Sequence, residues 1–81
     1  MPHVHVYLYP GRSQEQQQRV TERIVAAISE EMGVAPEWIS VVFEEVTPER
    51  WEKAVVHPYL RAGRGVLIHR PGYLTEQTEE E

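Results

Sequence analysis

Residues 3 to 9, HVHVYLY, alternate strictly between apolar side chains and histidine or tyrosine. Val4, Val6 and Leu8 fall on one face of an extended chain, and the histidines and tyrosines fall on the other. Alternation with a period of two is typical of a β-strand that has one covered face. Such a strand needs a second strand to pair with its backbone and an apolar layer to cover its valines, so the rest of the chain must supply both.

A helix that can provide this layer follows at once. The turn residues PGR lead to Ser13, which forms a capping-box pattern with Gln16. Gly33 is suited to end a helix in a left-handed conformation. Between these signals, apolar residues recur at spacings of three and four, as on one face of an amphipathic helix: Val20, Ile24, Ala27, Ile28 and Met32. The sequence therefore predicts one long helix over residues 13–32.

A second strand is predicted at residues 39–46, ISVVFEEV, where Ile39, Val41 and Phe43 share one face. Strand, helix and strand in this order form a β-α-β unit, whose two strands are expected to run parallel. The predicted fold class is therefore α+β, built on a parallel two-strand unit with one long helix.

A shorter segment follows this unit. Thr47 as N-cap and Pro48 at the first helical position predict a short helix that ends near residues 57–58. Residues 65–69, GVLIH, suit either a short third strand or a helical turn. We predict a single domain over residues 1–81, with a β-α-β core at 2–47, a C-terminal extension of helix and strand at 48–73 and a flexible tail at 74–81.

Composition limits both the assembly and the partners. A chain of 81 residues buries only about 60% of its unfolded surface, and it has no cysteine for disulfides or thiolate chemistry, so we expect a homo-oligomer. A net charge of −5 without a basic stripe argues against nucleic acid and anionic membranes as partners. The early charged residues argue against a signal peptide, and no apolar run approaches the roughly 20 residues of a membrane span. The expected location is the cytoplasm.

Several short motifs in a fixed order resemble the 4-oxalocrotonate tautomerase family. They are MP at the start, GRSQEQ before the long helix, AP before the second strand and EEV at its end, and the similarity spans residues 2–51. The later segment TPERW…HRPGY resembles the phenylpyruvate tautomerase branch, whose members carry a C-terminal extension and tend to be dimers. The resemblance implies a β-α-β tautomerase fold and a homo-oligomer, with a dimer favoured over a hexamer.

The resemblance also implies the chemistry. Family members interconvert the enol and keto forms of 2-oxo acids, using an N-terminal proline as general base and requiring no metal and no organic cofactor. The matching residue is Pro2, whose nitrogen becomes a secondary amine once Met1 is removed. Burial and a neighbouring cation both lower the pKa of an amine, which keeps it in its basic form near neutral pH.

Three further positions match binding residues of the family. Arg12 matches the arginine that holds the substrate carboxylate, for which its planar fork is suited. Trp51 matches an aromatic residue that walls the pocket. Ser40 stands where many members have an arginine that contacts the 2-oxo group, so the expected substrate shifts from a dicarboxylate to an aromatic monocarboxylate such as phenylpyruvate. The candidates for replacing that arginine are Arg61, Arg64 and Arg70.

Other interpretations remain open from the residues alone. Pro2 also suits the first position of any strand, and with Met1 attached its nitrogen is an amide without basicity. A protonated Pro2 would instead favour hydration or dehalogenation of unsaturated acids, which needs a carboxylate such as Glu44 or Glu45 to activate water. The third alternative is a non-catalytic oligomeric binding module.

The histidines at positions 3 and 5 share a strand face with two tyrosines. Two histidines without a third ligand are weak evidence for zinc, so no metal is predicted. Packing or hydrogen bonding across a subunit interface is the favoured interpretation of this face.

Overall fold

A computed structural model describes residues 1–63 and 65–74, which divide into two compact units. The first unit is Met1–Thr47, and the second begins at Pro48. The first contains, in chain order, strand β1 (His3–Leu8), helix α1 (Gln14–Met32), a 3-10 turn (Pro36–Trp38) and strand β2 (Ser40–Glu45). The second contains helix α2 (Pro48–Trp51), which continues directly into a π-helix (Glu52–Arg61).

The two strands form a parallel sheet in the predicted β-α-β arrangement. Their register runs from His3 opposite Ser40 to Leu8 opposite Glu45. The ladder extends one residue beyond each end, because the Ser40 N–H donates to the Pro2 carbonyl (3.2 Å) and the Val46 N–H donates to the Leu8 carbonyl (2.8 Å). Among the described residues the sheet has only these two strands, so each strand has one unpaired edge.

Helix α1 begins and ends where its sequence signals predict. Ser13 is the N-cap, and its hydroxyl oxygen accepts from the Gln16 N–H at 3.1 Å while the Gln16 Oε1 accepts from the Ser13 N–H at 2.9 Å. Gly33 ends the helix with φ at 68°, a left-handed conformation that residues with a Cβ adopt at a cost. No helix in the described part of the chain is both long and apolar enough to cross a membrane.

The apolar residues of α1 form a stripe along the helix that is only partly covered: Val20, Ile24, Ala27, Ile28 and Met32. Ile24 and Ile28 are half-buried, but Val20 is 45% exposed and Met32 is 69% exposed. The strands are six residues each and extend about 20 Å, whereas the 19-residue helix extends about 28 Å. A sheet of two such strands is too small to cover the stripe along its whole length.

The second unit departs from the prediction. Its helix begins at Pro48, as expected, but it continues through Pro58 to Arg61, so the predicted end near 57–58 is wrong. The reason lies in the wider turn, in which Ala62 N–H donates to the carbonyl of His57 five residues earlier (3.0 Å). A proline removes one donor and disrupts i to i+4 pairing, and a π-type turn shifts that pairing by one residue.

Residues 65–69 form neither the strand nor the helical turn considered for them. Val66 and Ile68 are 83% and 88% exposed, and the described residues offer this segment no partner strand. Leu74, the first residue of the predicted tail, is only 3% exposed. The remainder of that predicted tail lies outside the described residues.

Candidate active site

Pro2 lies at the head of β1 and is half-buried. Its carbonyl is fixed by the hydrogen bond from Ser40, so its position is set by the sheet. Met1 precedes it and is 93% exposed, which leaves the bond between the two residues open to an aminopeptidase. Removal of Met1 places a secondary amine at the amino end of the parallel sheet.

Ser40 lies at the same end of the sheet as Pro2. Its backbone pairs with Pro2, and its side-chain Oγ lies 2.6 Å from the Nδ1 of His3, the residue opposite it in the register. The structure therefore brings together two of the residues predicted for the site. It adds His3, which sequence reasoning assigned only to packing or hydrogen bonding at a subunit interface.

Arg12 lies beyond the other end of β1. The six residues of that strand separate it from Pro2 and span about 20 Å. Within one chain, the strand therefore places the predicted base and the predicted carboxylate anchor at opposite ends of the sheet. Their separation could have been read from the sequence, since Arg12 follows the predicted strand and Pro2 precedes it.

Arg12 lines a cleft of about 360 Å³ between α1 and the sheet. The walls are mostly apolar and are formed by Val6, Leu8, Val20 and Phe43, with Gln16, Gln17 and Arg19 as polar members. Arg19 is paired with Glu15 at 3.2 Å, whereas no carboxylate of the described residues forms an ion pair with Arg12. The cleft thus combines an apolar wall with an uncompensated guanidinium, a combination suited to an acid with an apolar tail.

Trp51 belongs to the second unit, where it is half-buried. Its indole Nε1–H donates to the hydroxyl of Tyr73 at 3.0 Å, which ties the end of α2 to the RPGY turn. This bond orients the indole ring, and the part of Trp51 as a pocket wall stays a prediction.

The three candidates for the missing cation are also in the second unit. Arg61 is paired with Glu52 at 2.8 Å, and Arg70 donates to the Leu74 carbonyl at 3.5 Å. Arg64 lies outside the described residues. The choice among them stays a prediction.

The polar face of the sheet holds a second contact, between His5 and Glu44. The His5 Nε2 lies 2.9 Å from the Glu44 Oε1, and the imidazole stacks on Tyr7 with ring centroids 4.3 Å apart. Glu44 is thereby occupied by His5 and does not line the Arg12 cleft, so it gives the hydratase alternative no water-activating group there. Within residues 1–63 and 65–74, no three histidine or glutamate side chains are grouped so as to hold a metal ion.

Sequence comparisons identify a family model and several relatives that this chain resembles. The Tautomerase family model, described as a tautomerase enzyme, matches residues 2–57. Tautomerase PptA of Pectobacterium atrosepticum is 34% identical over 74 residues, which is 90% of this chain and 97% of the relative. The 2-hydroxymuconate tautomerase of Comamonas testosteroni is 33% identical over 51 residues, which is 63% of this chain and 81% of the relative.

Solved structures agree with this similarity for the first part of the chain. TomN, a 4-oxalocrotonate tautomerase homologue of the tomaymycin biosynthetic pathway, is 38% identical with a TM-score of 0.59, and the match covers 62% of this chain and 77% of TomN. The 4-oxalocrotonate tautomerase homologue TTHB242 is 27% identical with a TM-score of 0.59, and the match covers 63% of this chain and 81% of that protein. The β-α-β arrangement is the fold of these proteins.

Proposed function

The chain belongs to the tautomerase family and is an enzyme of that isomerase class, and on this premise we propose that it interconverts the enol and keto forms of an aryl 2-oxo acid such as phenylpyruvate. The observation that carries the substrate class is the Arg12 cleft, which combines apolar walls with a guanidinium that forms an ion pair with no carboxylate of residues 1–63 and 65–74. The guanidinium binds the single carboxylate of such an acid, and the apolar wall accepts its ring. Membership in an enzyme family argues against a non-catalytic binding module.

The proposed reaction moves one proton and needs no cofactor. The amine of Pro2, freed by removal of Met1, takes the proton from the enol hydroxyl, and the oxygen lone pair forms the carbonyl as the carbon–carbon double bond opens. The resulting ammonium returns the proton to the neighbouring carbon, which restores the base. Arg12 holds the carboxylate in two parallel hydrogen bonds and so fixes the distance between the reacting atoms and the amine.

The separation of Pro2 from Arg12 along β1 supports a site shared by two copies of the chain. Two β1 strands that pair antiparallel along their free edges would bring Arg12 of one copy to the end of the sheet that holds Pro2 of the other. The uncovered apolar residues of α1 give such an association a hydrophobic contribution. We therefore propose a homo-oligomer, with a dimer favoured because the extension would cover surface used for further assembly.

The test is the rate of phenylenolpyruvate ketonisation across pH for the wild type and for Pro2→Ala. Mass spectrometry first establishes that Met1 is absent from both proteins. We expect the wild-type rate to rise with pH as the amine loses its proton, and the variant to be slower on the order of a hundredfold or more, the usual contribution of a general base. Equal rates for the two proteins, with Met1 removed from both, would contradict Pro2 as the base.

A further inference from the structure

The contact between His3 and Ser40 lies beside the proposed base and has no part in the reaction as described so far. The His3 Nδ1 is 2.6 Å from the Ser40 Oγ, and both side chains are on the exposed, polar face of the sheet. The backbone bond from Ser40 N–H to the Pro2 carbonyl fixes the serine opposite the residue that bears the amine. The pair therefore lies at the same end of the sheet as the proposed base.

We propose that His3 is a positioning residue, which orients the Ser40 hydroxyl so that it donates a hydrogen bond to the oxygen on carbon 2 of the substrate. The inference rests on the proposed tautomerase function and deepens it. In this proposal the neutral Ser40 hydroxyl polarises the substrate oxygen by donating a hydrogen bond to it. The contact with His3 determines the direction in which that hydroxyl points.

The number of hydrogen atoms in this contact determines which group must donate to which. Serine has one hydroxyl hydrogen, which it can donate either to His3 or to the substrate. If Ser40 donates to Nδ1, only its lone pairs remain to face the substrate oxygen, and the contact is repulsive. If Nδ1 carries the hydrogen, it donates to the Ser40 Oγ and leaves the hydroxyl hydrogen for the substrate. The two bonds then polarise each other in the same direction, which strengthens both.

The expected effect is on turnover. The oxygen on carbon 2 carries more negative charge when the enol proton is leaving than in either the bound enol or the bound ketone. A donor aimed at this oxygen therefore stabilises the transition state more than the ground state, and it raises kcat with little change in KM. A neutral donor also suits a substrate with a single carboxylate, because no second carboxylate requires a cation there.

The neighbouring residue His5 provides a matched control. Its ring meets that of His3 nearly edge to face, with centroids 6.3 Å apart and an interplanar angle of 86°. It lies on the same strand and the same face, but its hydrogen-bond partner is Glu44. Phenylalanine at either position keeps a ring and removes the polar atoms, so His3→Phe and His5→Phe differ only in which hydrogen bond is lost.

The experiment compares kcat and KM for phenylenolpyruvate in His3→Phe, His3→Asn, His5→Phe and Pro2→Ala, with thermal unfolding and light scattering of each protein. We expect His3→Phe to lower kcat about tenfold, as for one lost donor, with KM changed less than about twofold. The amide nitrogen of asparagine reaches the place of Nδ1, so His3→Asn should recover most of the loss, and His5→Phe should match the wild type. In a Ser40→Ala background, His3→Phe should have no further effect, because the hydroxyl that it orients is gone.

Three results would overturn the inference while Pro2→Ala still slows the reaction on the order of a hundredfold: unchanged kcat in His3→Phe, equal losses in His3→Phe and His5→Phe, or no recovery in His3→Asn. Each would leave the proposed function standing. A wild type that lacks its initiator methionine and does not ketonise the enol would overturn the proposed function, and the role of His3 with it.

Discussion

The two units of the chain differ in how regular structure relates to burial. The first consists of regular elements with complete caps and a paired ladder, yet much of its apolar stripe is exposed. The second is mostly π-helix and loop, yet it holds three of the four buried apolar side chains of the described residues: Val55, Val56 and Leu74. A sequence can therefore specify regular backbone hydrogen bonding without also burying its apolar side chains. The first unit has the former without the latter, which agrees with the proposal that chains associate to cover its apolar stripe.

Among these predictions, we expect the largest loss of activity for Arg12→Ala. This variant tests whether the substrate carboxylate binds to the first unit. Loss of a charged, bidentate contact to the carboxylate should lower kcat/KM for phenylenolpyruvate about a hundredfold. Steady-state kinetics measures the loss, with Arg23→Ala as control because Arg23 is an exposed arginine of α1 that does not line the cleft. If both variants lose activity equally, the cleft is not the carboxylate site.

A matched pair of valines tests the burial of the second unit. Val56 is 3% exposed and Val66 is 83% exposed. Val56→Ala should lower the free energy of unfolding by about 2 kcal/mol, from lost burial and the cavity left behind. Val66→Ala should change it by less than about 0.5 kcal/mol. Urea unfolding measures both, and a comparable loss in Val66→Ala would mean that an association of chains covers Val66 in solution.

The smallest expected effect comes from the bond between Trp51 and Tyr73. Tyr73→Phe removes one exposed hydrogen bond, so it should cost about 1 kcal/mol or less in stability. It should also change the emission of Trp51, which is observed without interference in a Trp38→Phe background because the chain has two tryptophans. If the emission is unchanged, the bond does not orient the indole. A raised KM for the aryl substrate would support Trp51 as a pocket wall.

The sequence predicts the first unit well because its signals are local. Alternation defines β1, and Ser13, Gln16 and Gly33 set the ends of α1 within a few residues of chain. The parallel direction of the two strands then follows from the crossover. The contact of His3 with Ser40 joins residues 37 apart in sequence, and a shift of one residue in register would remove it. No local pattern specifies that register, so this contact emerges only from the structure.

The second unit is predicted less well because its signals conflict. Pro58 indicates a helix end, whereas the apolar residues around it favour a continued helix, and the observed π-turns satisfy both by changing the hydrogen-bond spacing. The β-branched residues near Val66 favour a strand, but a strand requires a partner that the described residues do not offer there. The structure of such segments depends on their tertiary contacts, and a single sequence contains little information about those contacts.

The two open edges of the sheet have unequal consequences for assembly. Pairing of β1 with β1 of another copy is isologous, since each chain uses the same surface, and it closes after two chains. Pairing of β1 with β2 of another copy is heterologous, and each added chain would present a fresh edge to the next, as in a filament. Glu44 and Glu45 place negative charge at the end of β2 and repel copies stacked in this way. We therefore expect assembly through the β1 edge to give a finite particle rather than a fibre.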